Sequence, residues 1–223
     1  MILLPRICLD CMEHDVDSYQ AAIAREVFRQ KKKIVQFGER KFFEQCFCSK
    51  ASFQRYLKKM NMDSFERFKR TVVKEMEEIE GLMRCRPRNQ QLHERLSMAA
   101  QVNILAEPEA GFLFQVYLPY FLYLNPNTRL LLPVDQSPMH FQPEDVLIVA
   151  STERMLLDLI IFLNYEFGQK SVLGGDQLKP TVFIGPKGIS SASDPQISIY
   201  IESTSRPSKR INSFCKAVES ILF

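Results

Sequence analysis

Along the first hundred residues, apolar positions recur mostly at spacings of three and four. Between residues 63 and 84, Phe65, Phe68, Val72, Met76, Ile79 and Met83 form one such stripe. It predicts a long amphipathic helix capped by Asp63 or Ser64 and ended by Pro87. The other side of that helix carries Glu66, Lys69, Arg70, Lys74, Glu77 and Glu80. Upstream, Ser18 is placed to cap a helix over Ala21, Ala22, Ile23, Ala24, Val27 and Phe28. The run Arg29-Gln30-Lys31-Lys32-Lys33 closes it with cations suited to a helix C-terminus. Residues 34–38 read as extended or turn-like, and residues 39–47 and 52–60 as two shorter helices with aromatic faces. Gln90 to Met98 is a further amphipathic segment. Pro5 to Asp10 differs: Ile7 and Leu9 alternate there and predict a short strand, followed by an acidic turn with Asp15 and Asp17.

The period then changes. Residues 101–106 and 111–124 alternate with period two, with Phe112, Phe114, Val116, Leu118, Tyr120 and Leu122 on one face and Leu113, Tyr117, Phe121 and Tyr123 on the other. Glu107-Pro108-Glu109-Ala110-Gly111 between them reads as a hairpin turn, with Pro119 at a bulge or a strand end. A second helix is predicted over 151–167, with Met155, Leu156, Leu159, Ile160 and Leu163 inward. Residues 181–184 and 196–202 suggest another hairpin, and 211–223 a last amphipathic segment. No repeat, low-complexity stretch or linker divides the chain. The pattern therefore predicts one α+β domain over residues 1–223, an antiparallel sheet backed by helices that include the long central helix at 63–84.

Composition narrows the function classes. Of 223 residues, 46% are hydrophobic and 25% charged, an ordinary globular balance. The longest uncharged stretch, Ala110 to Thr128, contains Gln115, Pro119, Asn125, Pro126 and Asn127, which suits a buried strand pair rather than a membrane span. Ile2-Leu3-Leu4 is too short for a signal-peptide core, so an intracellular protein of nucleus or cytoplasm is expected. The net charge of +3 is uneven. Residues 25–74 hold 15 basic and 5 acidic side chains. Arg29, Lys31, Lys32, Lys33, Arg40 and Lys41, interleaved with Phe28, Phe37, Phe42, Phe43, Phe53 and Tyr56, suit nucleic-acid binding as one reading. A solvated helix face and a packed aromatic core account for the same pattern.

Catalytic chemistry is not visible. The six cysteines include a C-x-x-C (Cys8, Cys11) and a C-x-C (Cys46, Cys48), but in aromatic or strand-like surroundings that suit small buried hydrophobes rather than zinc. Cys85 and Cys215 have no partner pattern. His14, His93 and His140 sit near no recognised nucleophile, and neither Gly174-Gly175-Asp176 nor Gly185-Pro186-Lys187-Gly188 has phosphate-loop spacing. Glu75, Glu77, Glu78 and Glu80 share one helix but point in different directions. No enzyme activity, cofactor or metal is expected.

The order of elements resembles the HORMA-domain family, most closely its comet-type adaptors that silence the spindle checkpoint. The best-matching piece runs from Ile23 to Val35 and on to Glu39 and Lys41-Phe42-Phe43. A weaker match covers Leu178 to Val182, Ile197 to Ile201 and Arg206-Pro207-Ser208. The resemblance implies a non-catalytic cell-cycle adaptor, in mitosis or meiosis, that binds a HORMA-family partner and presents it to an AAA+ remodelling ATPase. Its contact surface is then the long helix, with Lys69, Arg70, Val73, Lys74, Glu77 and Glu80. The chain departs from the family at its end, where only residues 211–223 stand in place of a closing strand.

Overall fold

The computed structural model describes residues 3–13, 18–83, 89–131, 144–152, 181–186, 197–201 and 206–222. They group into two compact units. The first takes the chain up to Arg86 together with Gln115–Asn127, the second Pro87–Phe114 and Thr128–Leu222.

The described part of the first unit is helical. It comprises α1 (Leu3–Glu13), α2 (Tyr19–Gln30), a 3-10 turn at Lys31–Gln36, α3 (Glu39–Gln45), α4 (Lys50–Lys59) and α5 (Phe65–Met83). The helix expected at 63–84 and the Ser18 cap are both present, the Ser18 hydroxyl accepting the Ala21 N–H at 3.1 Å. The strand expected over Pro5–Asp10 is corrected to helix α1. Leu3, Leu4, Ile7 and Cys8 are all buried, a three-and-four spacing that outweighs the Ile7/Leu9 alternation. Pro5 falls in the first turn, where its missing N–H leaves no bond unmade. The N-terminus of α1 is satisfied from α5: the Glu75 carboxylate accepts the Leu3 and Leu4 N–H groups at 2.7 and 2.6 Å. The segment at 34–38, expected to be extended or turn-like, begins within the 3-10 turn. At the centre of this unit, Phe42, Phe53, Tyr56, Phe65 and Phe68 are buried with ring centroids 5.2–6.4 Å apart.

The second unit holds α6 (Gln90–Met98), the first turns of α7 (Pro108–Leu124), α8 (Pro207–Leu222) and a five-stranded sheet. The strands are β1 (Val102–Ala106), β2 (Thr128–Leu131), β3 (Val146–Ala150), β4 (Val182–Pro186) and β5 (Ile197–Ile201), in the order β2-β1-β3-β4-β5. Every pairing is parallel, with Val102 beside both Thr128 and Val146, and Val182 beside Ile197. This corrects the fold expected from the sequence: the sheet is not antiparallel, and the HORMA-like architecture read from the order of elements goes with it. Neither expected hairpin exists. Residues 181–184 and 196–202 contribute adjacent parallel strands, and residues 108–124 form a crossover helix.

The physical reason lies in α7. A strand averages about five or six residues, whereas the apolar run from Gly111 to Leu124 is far longer and parallel strands need a crossover of a dozen residues or more. Pro108 takes the first helical position, and the Glu107 carboxylate caps it by accepting the Glu109 and Ala110 N–H groups at 3.3 and 3.2 Å. Ala110, Phe114, Tyr117, Leu118, Phe121 and Leu122 are buried at helical spacing, while Phe112 and Val116 are 69% and 66% exposed. Pro119 has no N–H to offer the Gln115 carbonyl, and it is at Gln115 that the helix passes from the second unit to the first. β1, β3 and β4 are buried at every position, which explains why their sequences are apolar but for Asn103 of β1. The helix expected over 151–167 lies, from residue 153 onward, outside the described residues. Among the described residues no helix is long and apolar enough to cross a membrane.

Candidate nucleic-acid interface

Helices α3 and α4 are joined by four residues, Cys46-Phe47-Cys48-Ser49. Two short helices joined by so tight a turn occur both in αα-hairpins and in the helix-turn-helix, and in the DNA-binding form of the latter the second helix enters a groove. Ser49 caps α4, its hydroxyl accepting the Ser52 N–H at 3.1 Å. Phe53, Tyr56 and Leu57 are buried on one side of α4; Phe53 meets the rings of Phe42 and Phe43 from α3 and of Phe65 from α5. The aromatic residues that suggested base stacking are thus mostly core, and they fix the attitude of α4.

The remaining half of the α4 circumference carries Lys50, Ala51, Gln54, Arg55, Lys58 and Lys59, and the helix contains no acidic residue. Lys50 and Lys58 are exposed and have no acidic partner among the described residues. Arg55 is exposed, within 3.3 Å of the Ser52 hydroxyl and over the Tyr19 ring. Lys59 is the exception, pairing with the buried Asp10 at 2.5 Å. Lysines in the last turn also complement the helix dipole, so Lys50 and Arg55 are the more telling positions.

The six cations singled out from sequence divide into two groups. Arg29 pairs with the buried Glu26 at 2.9 Å, Lys32 pairs with Glu80, and Lys31 lies 4.6 Å over the Tyr123 ring, where burial pulls its pKa down. These three are engaged by the protein itself, although the Arg29 side chain stays 59% exposed. Lys33, Arg40 and Lys41 are exposed, Arg40 pairing with Glu44 at 2.8 Å and Lys41 lying over the Phe37 ring. Sequence reasoning named none of the α4 cations. The usable signal was the Ser49 cap followed by Lys50, Gln54 and Lys58 at one spacing.

The strip expected on the long helix is not one surface. Lys69 is 6% exposed, donates to the Phe37 carbonyl at 3.0 Å and pairs with Glu66 at 2.7 Å. Arg70, Lys74 and Glu77 are exposed, Val73 is half-buried, and Glu80 is held by Lys32.

In the second unit, sheet order reverses at β1, and open parallel sheets take ligands beyond the C-terminal strand ends at such a point. Here the chain's own side chains meet. The Thr152 hydroxyl lies 2.6 Å from the Glu107 carboxylate and 2.7 Å from that of Glu109, and its N–H donates to Glu107 at 3.0 Å. Arg210 of α8 approaches Glu109 at 3.3 Å. The place an anion would take at the α7 N-terminus is therefore filled by Glu107.

Among the described residues no group of three or more histidine, cysteine or acidic side chains is arranged to hold a metal ion. Burial pushes the Cys8 and Cys46 thiols upward and Cys11 up to about 12. The linkage has a definite sign. Above the ordinary thiol pKa the unfolded chain loses protons that the native state keeps, so stability falls as pH rises from about 9 toward 12. We expect a lower melting temperature at pH 10.5 than at pH 8, with part of that drop removed by Cys11→Ala. An unchanged drop in this variant would exclude Cys11 as a source.

Compared with known proteins, the chain matches no protein-family model and no curated protein.

Proposed function

We propose that the protein binds duplex DNA, with α3 and α4 as a helix-turn-helix and α4 as the helix placed in the major groove. The observation that carries this reading is the α3–turn–α4 pair, whose second helix has no acidic residue of its own and leaves Lys50, Arg55 and Lys58 exposed. An adaptor working through the long helix has less support, since Lys69 and Glu80 are already engaged by the protein itself.

The test is fluorescence anisotropy with a 24-base-pair duplex recovered from a random pool by the wild-type protein. Affinity should fall steeply with salt, the slope counting the phosphates neutralised. Lys50→Glu with Lys58→Glu should weaken binding at least tenfold and flatten the slope by about one for each phosphate no longer neutralised. Its melting temperature should stay near wild type, because both side chains are exposed. Undiminished binding by the double variant would refute α4 as the contact. Equal weakening by Arg70→Glu with Lys74→Glu would shift the site to α5.

A further inference from the structure

The turn between α3 and α4 contains a residue that neither packing nor backbone geometry favours. The turn closes α3 by the two bonds of a Schellman cap: the Phe47 N–H donates to the Glu44 carbonyl at 3.1 Å and the Cys48 N–H to the Phe43 carbonyl at 3.2 Å. This cap puts its penultimate residue in the left-handed region, and Phe47 has φ 50. Glycine is the usual occupant, and asparagine the usual substitute, because a β-carbon crowds the backbone there. The chain itself shows the ordinary solution one helix later. α4 ends in the same pair of bonds, Asn61 N–H to Lys58 carbonyl at 3.0 Å and Met62 N–H to Leu57 carbonyl at 2.8 Å, with Asn61 at φ 58.

Phe47 gains nothing from burial in return. It is 97% exposed, the most exposed of the large apolar residues described, while Phe42 and Phe43 one turn earlier are buried or half-buried. Lone apolar residues on a surface are common, but here full exposure and a disfavoured φ coincide at one position. That position lies two residues before the Ser49 cap of α4, near the end of a recognition helix that reaches base edges. After the half-buried Cys48 come Ser49, Lys50 and Ala51, all exposed. An aromatic ring at this point suits the apolar feature of the major groove, the thymine methyl group.

We infer that Phe47 is a specificity-determining contact of this helix pair, its ring packing on thymine methyl groups in the groove that α4 enters; this rests on the DNA-binding reading above. Phe47 then adds affinity that is independent of salt, complementary to the phosphate contacts of Lys50 and Lys58.

The experiment uses the full chain and the selected 24-base-pair duplex, made once with thymine and once with uracil, which lacks the methyl. Wild type should bind the thymine duplex about fourfold more tightly for each methyl contacted. Phe47→Gly and Phe47→Ala should bind about tenfold more weakly, with the same salt slope, and no longer distinguish the two duplexes. Phe47→Gly should melt at or above the wild-type temperature, because glycine suits φ 50. A variant that binds like wild type, one that still prefers thymine, or a Phe47→Gly protein that melts lower would each overturn the inference. If those variants fail the prediction while Lys50→Glu with Lys58→Glu still weakens binding at least tenfold and flattens the salt slope, the inference falls and the DNA-binding reading stands. If no duplex is recovered by the wild-type protein, both fall.

Discussion

Phe68→Ala should destabilise the protein by about 3–5 kcal/mol, a large share of the whole stability of an ordinary domain. Phe68 has no exposed surface and lies on the inner face of α5. Its ring stacks on Phe65 at 6.3 Å and meets Tyr56 edge-on at 6.4 Å. Truncation removes the transfer energy of the ring and leaves a cavity whose walls are other aromatic rings, too large and too constrained by their own helices to close it. Tyr56 sits on α4, so the same substitution loosens the support of the proposed recognition helix. Urea unfolding should show the loss as a lower midpoint with an unchanged slope. A loss below about 1 kcal/mol would mean that the aromatic cluster does not form the core of this unit.

Ile148→Ala should cost about 2–5 kcal/mol for a different reason. Ile148 is fully buried in β3, level with Ile104 on β1 and close to Val182 on β4. A parallel strand covered on both faces has no solvent side onto which its neighbours can relax. The informative control is Phe112→Ala, which removes a larger side chain. Had residues 111–124 formed a doubly covered strand, Phe112 would be core and its truncation as costly. On α7 it is 69% exposed, and its removal should change stability by no more than about 0.5 kcal/mol. Chemical denaturation of both variants therefore separates helix from strand at this segment. Equal losses from the two would speak against the crossover helix.

What the amino-acid order determines by itself is local. The stripe Phe65, Phe68, Val72, Met76, Ile79 specifies α5, and Ser18 specifies the start of α2. The two short aromatic-faced helices at 39–60 were legible in the same way, because a 3.6-residue period with one polar side has only one regular solution. Where the pattern is apolar on every side, period carries no decision. Residues 111–124 satisfy a two-residue repeat and a helical one equally, and only length, the Glu107-Pro108 start and the need to join parallel neighbours resolve them into α7. Strand direction is likewise absent from the strands themselves, since β1, β3 and β4 are apolar at nearly every position and would suit parallel or antiparallel pairing within a covered sheet. The candidate site divides along the same line. The basic excess at residues 25–74 is visible in composition, but a lysine's role depends on what folds beside it. Carbonyls of residues 35 and 37 capture Lys69, and the Glu80 carboxylate captures Lys32, while nothing acidic among the described residues meets Lys50 or Lys58. Long charged side chains are placed by neighbours remote in sequence, so tertiary structure alone decided which cations remain exposed.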